Sequence, residues 1–180
     1  ACYGYNSYST AYLKANYPDE FICSLFNVSI NSSSGGDKYE KVEAFEKEFK
    51  KKMGVKLLPR DINKCKFVYT IEKRKDDRNG IIATEIRPSL LCKGVGEGPA
   101  LEVEKSQPYV DFMDFAQRAN VSSGVVEAYA LNGYFKALEK KRKDEDDDSY
   151  AKRIVKEFKM IREDSKKLSA KGIESCDMFA

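Results

Sequence analysis

Two glycines one residue apart, Gly94 and Gly96, sit in the string Lys93-Gly94-Val95-Gly96-Glu97 between two short amphipathic stretches. No other part of the sequence restricts the backbone as narrowly. Glycine enters tight and left-handed turns without steric cost, so the chain can reverse here and leave its N–H groups bare. The turn opens onto a helix-forming stretch. N–H groups and the dipole of a helix start then converge on one spot suited to a phosphate. The same glycines also serve a plain helix–helix turn with no ligand. A dinucleotide-binding loop would need a strand leading in and a G-x-G-x-x-G spacing, whereas the glycines here run G-x-G-x-G.

A second helix–turn–helix follows. Helical patterns over 110–119 and 123–132 flank Asn120-Val121-Ser122-Ser123-Gly124. Ser122, Ser123 and Gly124 offer hydroxyls and permissive backbone at a helix start, and N-capping by Ser123 is the plainer role. Two such units in tandem form the helix-hairpin-helix device. It grips the sugar–phosphate backbone without reading base sequence, so any affinity should fall with salt.

The rest of the chain is mainly helical with one small β-hairpin. Tyr5, Tyr8, Tyr12 and Leu13 recur at helical spacing until Tyr17-Pro18, where proline ends one helix and suits the first turn of the next, over 19–26. Asn31-Ser32-Ser33-Ser34-Gly35-Gly36 reads as a loop. Asp37 with Glu40 forms an Asp version of a capping box, Tyr39, Val42, Phe45 and Phe49 make an apolar stripe, and Gly54 follows as a C-cap. Lys50, Lys51 and Lys52 complement the dipole at that helix's end. Strands are expected over 67–71 and 81–84, around a polar turn over 73–80. Helices are expected over 88–93 and 98–105, and a last one over 149–168 with Ile154, Val155, Phe158 and Ile161 on one face.

Composition removes several chemistries. With no histidine among 180 residues, His-based acid–base catalysis and the commonest metal ligand are absent. Cys2, Cys23, Cys65, Cys92 and Cys176 form no C-x-x-C pair, which argues against zinc and a disulfide framework and fits a reducing compartment. No apolar run approaches the roughly 20 residues of a membrane helix, and no N-terminal targeting signal is visible. The opening residues read as the middle of a longer protein. The net charge is only +3, so a nucleic-acid surface must come from local clustering. The lysine clusters and the run Lys140-Lys141-Arg142-Lys143-Asp144-Glu145-Asp146-Asp147-Asp148 read first as solvated surface, a linker or an exposed helix end. Consecutive acids lack the alternation of a calcium loop.

Several strings, in one order, resemble the bacterial DNA polymerase III α subunits, the family C replicative polymerases. Tyr8-Ser9-Thr10-Ala11-Tyr12-Leu13-Lys14-Ala15-Asn16-Tyr17-Pro18-Asp19-Glu20-Phe21 looks like the end of that family's fingers region. Leu58-Pro59-Arg60-Asp61-Ile62-Asn63 is similar to its Leu-Pro-Pro-Asp-Ile-Asn segment. The hairpin, the Lys93–Glu97 turn, Asp114-Phe115 and Gly133-Tyr134-Phe135 follow in the family's order, to about Phe135. Ser175-Cys176-Asp177-Met178-Phe179 resembles its sliding-clamp binding pentapeptide, with Ser175 standing where the family has Gln. Gly98-Pro99, Tyr134 and the charged run after Lys140 depart from the pattern, as in a distant relative, for instance from a phage.

The resemblance implies the end of the fingers over 1–36 and a tandem helix-hairpin-helix domain over 37–139. A charged linker and helix would follow over 140–170, then a clamp-binding tail over 171–180. It implies DNA-backbone contacts from Lys93, Gly94, Val95, Gly96 and Glu97, and weaker ones from Ser122, Ser123 and Gly124. It also implies clamp docking by Ser175, Cys176, Asp177, Met178 and Phe179, with Met178 and Phe179 as apolar plugs on a flexible segment. Expected partners are duplex DNA, the sliding clamp and the rest of the polymerase and replisome, with no membrane. The expected setting is the cytoplasm, at the nucleoid, of a bacterial or phage-infected cell. The family's magnesium-binding palm carboxylates lie upstream and have no counterpart here, so no catalytic residue and no cofactor are expected in this chain. Two other readings remain open: a helix-hairpin-helix DNA repair enzyme, which would need a catalytic Asp or Lys beside the hairpin, and an interaction module whose hairpins make only protein contacts.

Overall fold

The computed structural model describes residues 2–32, 37–53, 56–75, 82–142 and 144–176. The chain falls into two compact units, Ala1–Arg60 with Lys64–Lys93, and Asp61–Asn63 with Gly94–Ala180. Both are built mainly from helices, and the sheet is confined to the first.

In the first unit, α1 (Cys2–Asn16) ends where Tyr17 donates its N–H to the Leu13 carbonyl at 2.8 Å, and Pro18 opens α2 (Pro18–Ser32). Ile22, Phe26 and Ile30, four residues apart, form one face of α2 and are at most 1% exposed. Each contributes about 1.5–3 kcal/mol by leaving water. Phe26 meets Phe49 of α3 (Asp37–Met53) edge-on at 5.9 Å and Tyr69 at 5.0 Å, while Val42 of α3 is buried. The Tyr69 hydroxyl donates to Glu46 Oε1 at 2.7 Å. Asn27 holds the main chain at Tyr69 as a strand would, accepting from its N–H at 2.7 Å and donating to its carbonyl at 3.1 Å. Tyr5 and Tyr8 of α1 are exposed, as is much of Tyr12.

The sheet has the order β1-β3-β2. β2 (Thr70–Lys75) runs antiparallel to β3 (Ile82–Arg87), with Thr70 opposite Arg87 and Lys75 opposite Ile82. β1 (Lys56–Leu57) adds a short parallel edge beside Glu85 and Ile86. The buried Arg87 guanidinium is fully engaged. It donates to both Glu72 oxygens at 2.7 and 2.9 Å and to the Pro59 carbonyl at 3.0 Å, which is how a buried charge becomes tolerable.

In the second unit, α4 (Glu97–Ser106), α5 (Phe112–Arg118), α6 (Ser123–Leu131) and α7 (Asp147–Cys176) enclose an aromatic cluster. Phe115 lies 4.9 Å from both Tyr109 and Phe135, edge to face, and Tyr129 meets Tyr134 at 5.0 Å. Ile154 and Phe158 bury one face of α7 against this core. The three residues Asp61–Asn63 belong here. Ile62 is fully buried, its N–H donates to the Tyr134 carbonyl at 3.0 Å, and Asn63 pairs with both main-chain groups of Tyr109 at 2.7 and 2.8 Å.

Several sequence expectations need correction. No helix forms over 88–93: the Leu90 N–H donates to the Lys66 carbonyl at 2.7 Å and the Leu91 N–H to Ser89 Oγ at 2.9 Å, so donors needed for a helix are taken elsewhere. α2 runs past the expected end near Phe26 to Ser32, taking in Asn31 and Ser32 because Ile30 continues its apolar face. The strands lie later than expected, so Lys73, Arg74 and Lys75 belong to β2. The rest of the expected turn, residues 33–36 and the Gly54 cap lie outside the described residues. α7 starts at Asp147 and reaches Cys176, beyond the expected end at residue 168. No helix among the described residues is long and apolar enough to cross a membrane.

Candidate nucleic-acid interface

The residues on each side of the first turn are held by ordinary packing within their own unit. Upstream, Ser89 Oγ donates to the Phe67 carbonyl at 2.6 Å, and Leu90, Leu91 and Cys92 are buried. Burial pushes the Cys92 thiol up to about 12. Lys93, the last residue of the first unit, is exposed and lies 3.6 Å from Glu40. Gly94 opens the second unit at φ +91, a conformation that favours glycine, and a Cβ there would stand 3.1 Å from the Ala128 Cβ of α6. Val95 is buried and anchors the turn. Gly96, the N-cap of α4, has φ −85 and open space around it. It brings no side-chain cap, and Gly96, Glu97 and Gly98 are exposed; the first turn of α4 offers the N–H groups of Glu97 and Gly98 only, since Pro99 has none. The Glu97 carboxylate sits at the same helix start, where it favours the dipole and opposes a bound anion.

The second hairpin has a helix on each side. Asp111 caps α5 by accepting the Asp114 N–H at 2.8 Å. The Val110 N–H, and then Arg118, hold the Asp114 carboxyl below the usual carboxylate range. Val121 is buried, and its N–H donates to the Ala119 carbonyl at 2.9 Å, folding the turn. The N-cap of α6 is Ser122, not Ser123, because Val125 and Val126 both donate to the Ser122 carbonyl. The Ser122 hydroxyl makes no capping bond, and Ser122 and Gly124 are exposed. At its other end α6 closes on Gly133 at φ +77, with Tyr134 N–H donating to the Tyr129 carbonyl at 3.0 Å.

Arg162 of α7 joins this hairpin, a role sequence reasoning did not foresee. It donates to the Ala116 and Ala119 carbonyls at the end of α5 and lies 4.7 Å from the Phe158 ring centre. Ala128, against which Gly94 packs, was equally unmarked. In both cases the relevant neighbour is distant in sequence. Of the expected clamp-binding residues, Ser175 and Cys176 lie in the last turn of α7, so the tail is not extended from Lys171. Asp177, Met178 and Phe179 lie outside the described residues. Among the described residues no group of three or more His, Cys, Asp or Glu is placed to hold a metal ion.

A mainly helical unit with two tight turns, at Gly94–Gly96 and Asn120–Ser122, each opening a helix, has the elements of a helix-hairpin-helix protein. The helix-hairpin-helix motif family matches residues 54–145, about half of the chain, and the chain belongs to that family. It is related to DNA polymerase III subunit alpha. It is 35% identical over 149 residues to that protein from Aquifex aeolicus (strain VF5), covering 79% of this chain and 12% of the relative. With the protein from Vibrio cholerae the figures are 34% over 140 residues, 74% of this chain and 11% of the relative. With that from Bacillus subtilis they are 30% over 129 residues, 68% and 10%. The chain thus spans about a tenth of the length of these relatives.

Proposed function

We propose that this chain serves a bacterial-type replicative DNA polymerase by gripping duplex DNA through its backbone and docking on the sliding clamp. The observation that carries the reading is the turn at Gly94–Gly96, inside the span matched by the helix-hairpin-helix family. Gly94 is left-handed and pressed on α6, and Gly96 opens α4 at the exposed residues Glu97 and Gly98, whose N–H groups supply the cradle. Val95 anchors the cradle, Lys93 adds charge beside it, and Glu97 restricts how closely an anion approaches. Ser122, Ser123 and Gly124 at the start of α6 form the second, weaker cradle. Ser175, Cys176, Asp177, Met178 and Phe179 dock on the clamp. Nucleotidyl transfer and its magnesium belong to the palm of the parent polymerase, and the setting is the cytoplasm of a bacterial or phage-infected cell.

The test is a fluorescence-anisotropy titration with random-sequence duplex across a salt series. Log K should fall with log salt, by about 0.9 per phosphate neutralised, and be indifferent to sequence. Gly96→Val is the informative variant, because open space and a negative φ let the fold accept a side chain there. It should melt like the parent yet bind duplex more weakly. Unchanged binding by Gly96→Val would remove the first hairpin from the interface.

A further inference from the structure

One flank of α7 carries charge that the hairpins do not account for. Lys152, Lys156, Lys159, Arg162 and Lys166 recur at spacings of three and four, so they share one side of the helix. From Lys152 to Lys166 the helix rises roughly 21 Å. Two clefts lie along this side. One, of about 250 Å³, is lined by Glu127 of α6 with Lys152, Val155, Lys156 and Lys159. The other, of about 610 Å³, is lined by Arg162 and Lys166 with Gln117, Arg118 and Asn120, the last being part of the second hairpin.

Several other basic side chains of the unit are matched by acids. Arg153, on the opposite side of α7, binds Glu139 at 3.0 Å and Glu145 at 2.9 Å, and that pairing holds Glu145 below the usual carboxylate range. Arg118 binds Asp114 at 2.9 Å, and Lys141 binds Asp147 at 2.8 Å. Among the described residues no carboxylate lies within ion-pair distance of Lys152, Lys156, Lys159 or Lys166. Arg162 is spent on neutral carbonyls. Glu127 is the one acid lining the first cleft, against three lysines. Glu163, four residues after Lys159 and three before Lys166, falls on the same side of the helix.

We infer that this flank of α7 is a further nucleic-acid contact, a basic rail that takes a DNA strand from the second hairpin along the phosphate backbone. The inference rests on the duplex-binding reading above. It follows from charge complementarity and continuity. One strand presents a phosphate about every 3.4 Å of helix axis, so the rail spans enough phosphates to engage all four lysines. Its Arg162–Lys166 end shares a cleft with Asn120, three residues before the start of α6.

The test compares the full chain with a quadruple variant, Lys152→Gln, Lys156→Gln, Lys159→Gln and Lys166→Gln. A charge-matched control carries Lys14→Gln, Lys41→Gln, Lys47→Gln and Lys64→Gln, all exposed and in the first unit. Arg162 is left intact because it caps α5. The rail variant should melt like the parent and lose roughly 3 to 4 from the slope of log K against log salt, with the control close to the parent. Equal losses in both variants would mean net charge alone acts, and would overturn the inference, as would an unchanged slope in the rail variant. Polyglutamate competing as well as duplex would reassign the rail to an acidic protein. Gly96→Val, measured alongside, separates the two ideas: if it weakens binding while the rail variant does not, the hairpin stands and the rail falls. The reverse result leaves the rail standing alone.

Discussion

Replacing Gly94 by alanine should destabilise the second unit by about 2–3 kcal/mol, from two sources that can be measured apart. A left-handed backbone costs an ordinary L-residue roughly 1–2 kcal/mol, and Gly94 has φ +91. The new methyl would also stand 3.1 Å from the Ala128 Cβ, inside the roughly 3.5–4.0 Å at which carbons attract. Relieving that by small shifts in a packed turn costs about 1 kcal/mol, the low end for overpacking. Ala128→Gly removes the opposing methyl but leaves the dihedral untouched. Alone it should cost about 1 kcal/mol in helix propensity. In the double variant the coupling should return about 1 kcal/mol, with the dihedral cost remaining. Gly124→Ala is the control of opposite sign. It lies in the first turn of α6 with nothing near its Cβ position, and should gain about 0.4–1 kcal/mol. Urea unfolding followed by circular dichroism reads all four variants, with constant m-values as the check that only the native state has changed. Gly94→Ala within about 0.5 kcal/mol of the parent, the usual effect of a neutral surface change, would refute the argument. Full rescue by Ala128→Gly would leave crowding as the whole effect.

Other outcomes follow from the same geometry. Hydrogen bonding by Arg87 holds the Glu72 carboxyl below the usual range. The stability it lends is therefore present above the unfolded value near roughly 4.3 and lost as pH falls through the folded value; Glu72→Gln should flatten the acid limb of the unfolding curve, and an unchanged limb would contradict the pairing. Cys92, buried and with its thiol pushed up to about 12, should resist thiol reagents at neutral pH until the first unit unfolds, which mass spectrometry of labelled peptides would reveal. Met178→Ala with Phe179→Ala should abolish capture by an immobilised sliding clamp while leaving duplex binding intact; retained capture would rule out that docking mode.

What the sequence made legible was local. α3 follows from an apolar stripe that repeats every three to four residues, and the turn at Gly94 from residues whose freedom is their own. What it hid depended on distant partners. Ser89, Leu90 and Leu91 look helical in isolation, yet Phe67 and Lys66, more than twenty positions earlier, take their bonds. β1, at two residues, is too short to carry a pattern and exists because β3 offers an edge. The last helix was expected to end near residue 168, and it runs on to Cys176. The charged run after Lys140 looked merely solvated, yet Glu145 is half-buried under Arg153. At the candidate site, the two turns were visible as composition, while Arg162 and the rail beside it required α5, α6 and α7 to be placed together.

The three residues Asp61–Asn63 make the second unit discontinuous in sequence. Ile62 fills its core, and Asn63 supplies the partners of the Tyr109 main chain. A gene segment beginning at Gly94 would encode every helix of that unit and still omit a piece of its interior. Recombination or engineering that treats the hairpins as a portable cassette must therefore carry the Asp61–Asn63 stretch with them. On the ribosome that stretch emerges early and waits for Tyr109 and Tyr134 before its bonds can close. The span matched by the helix-hairpin-helix family, residues 54–145, contains that stretch.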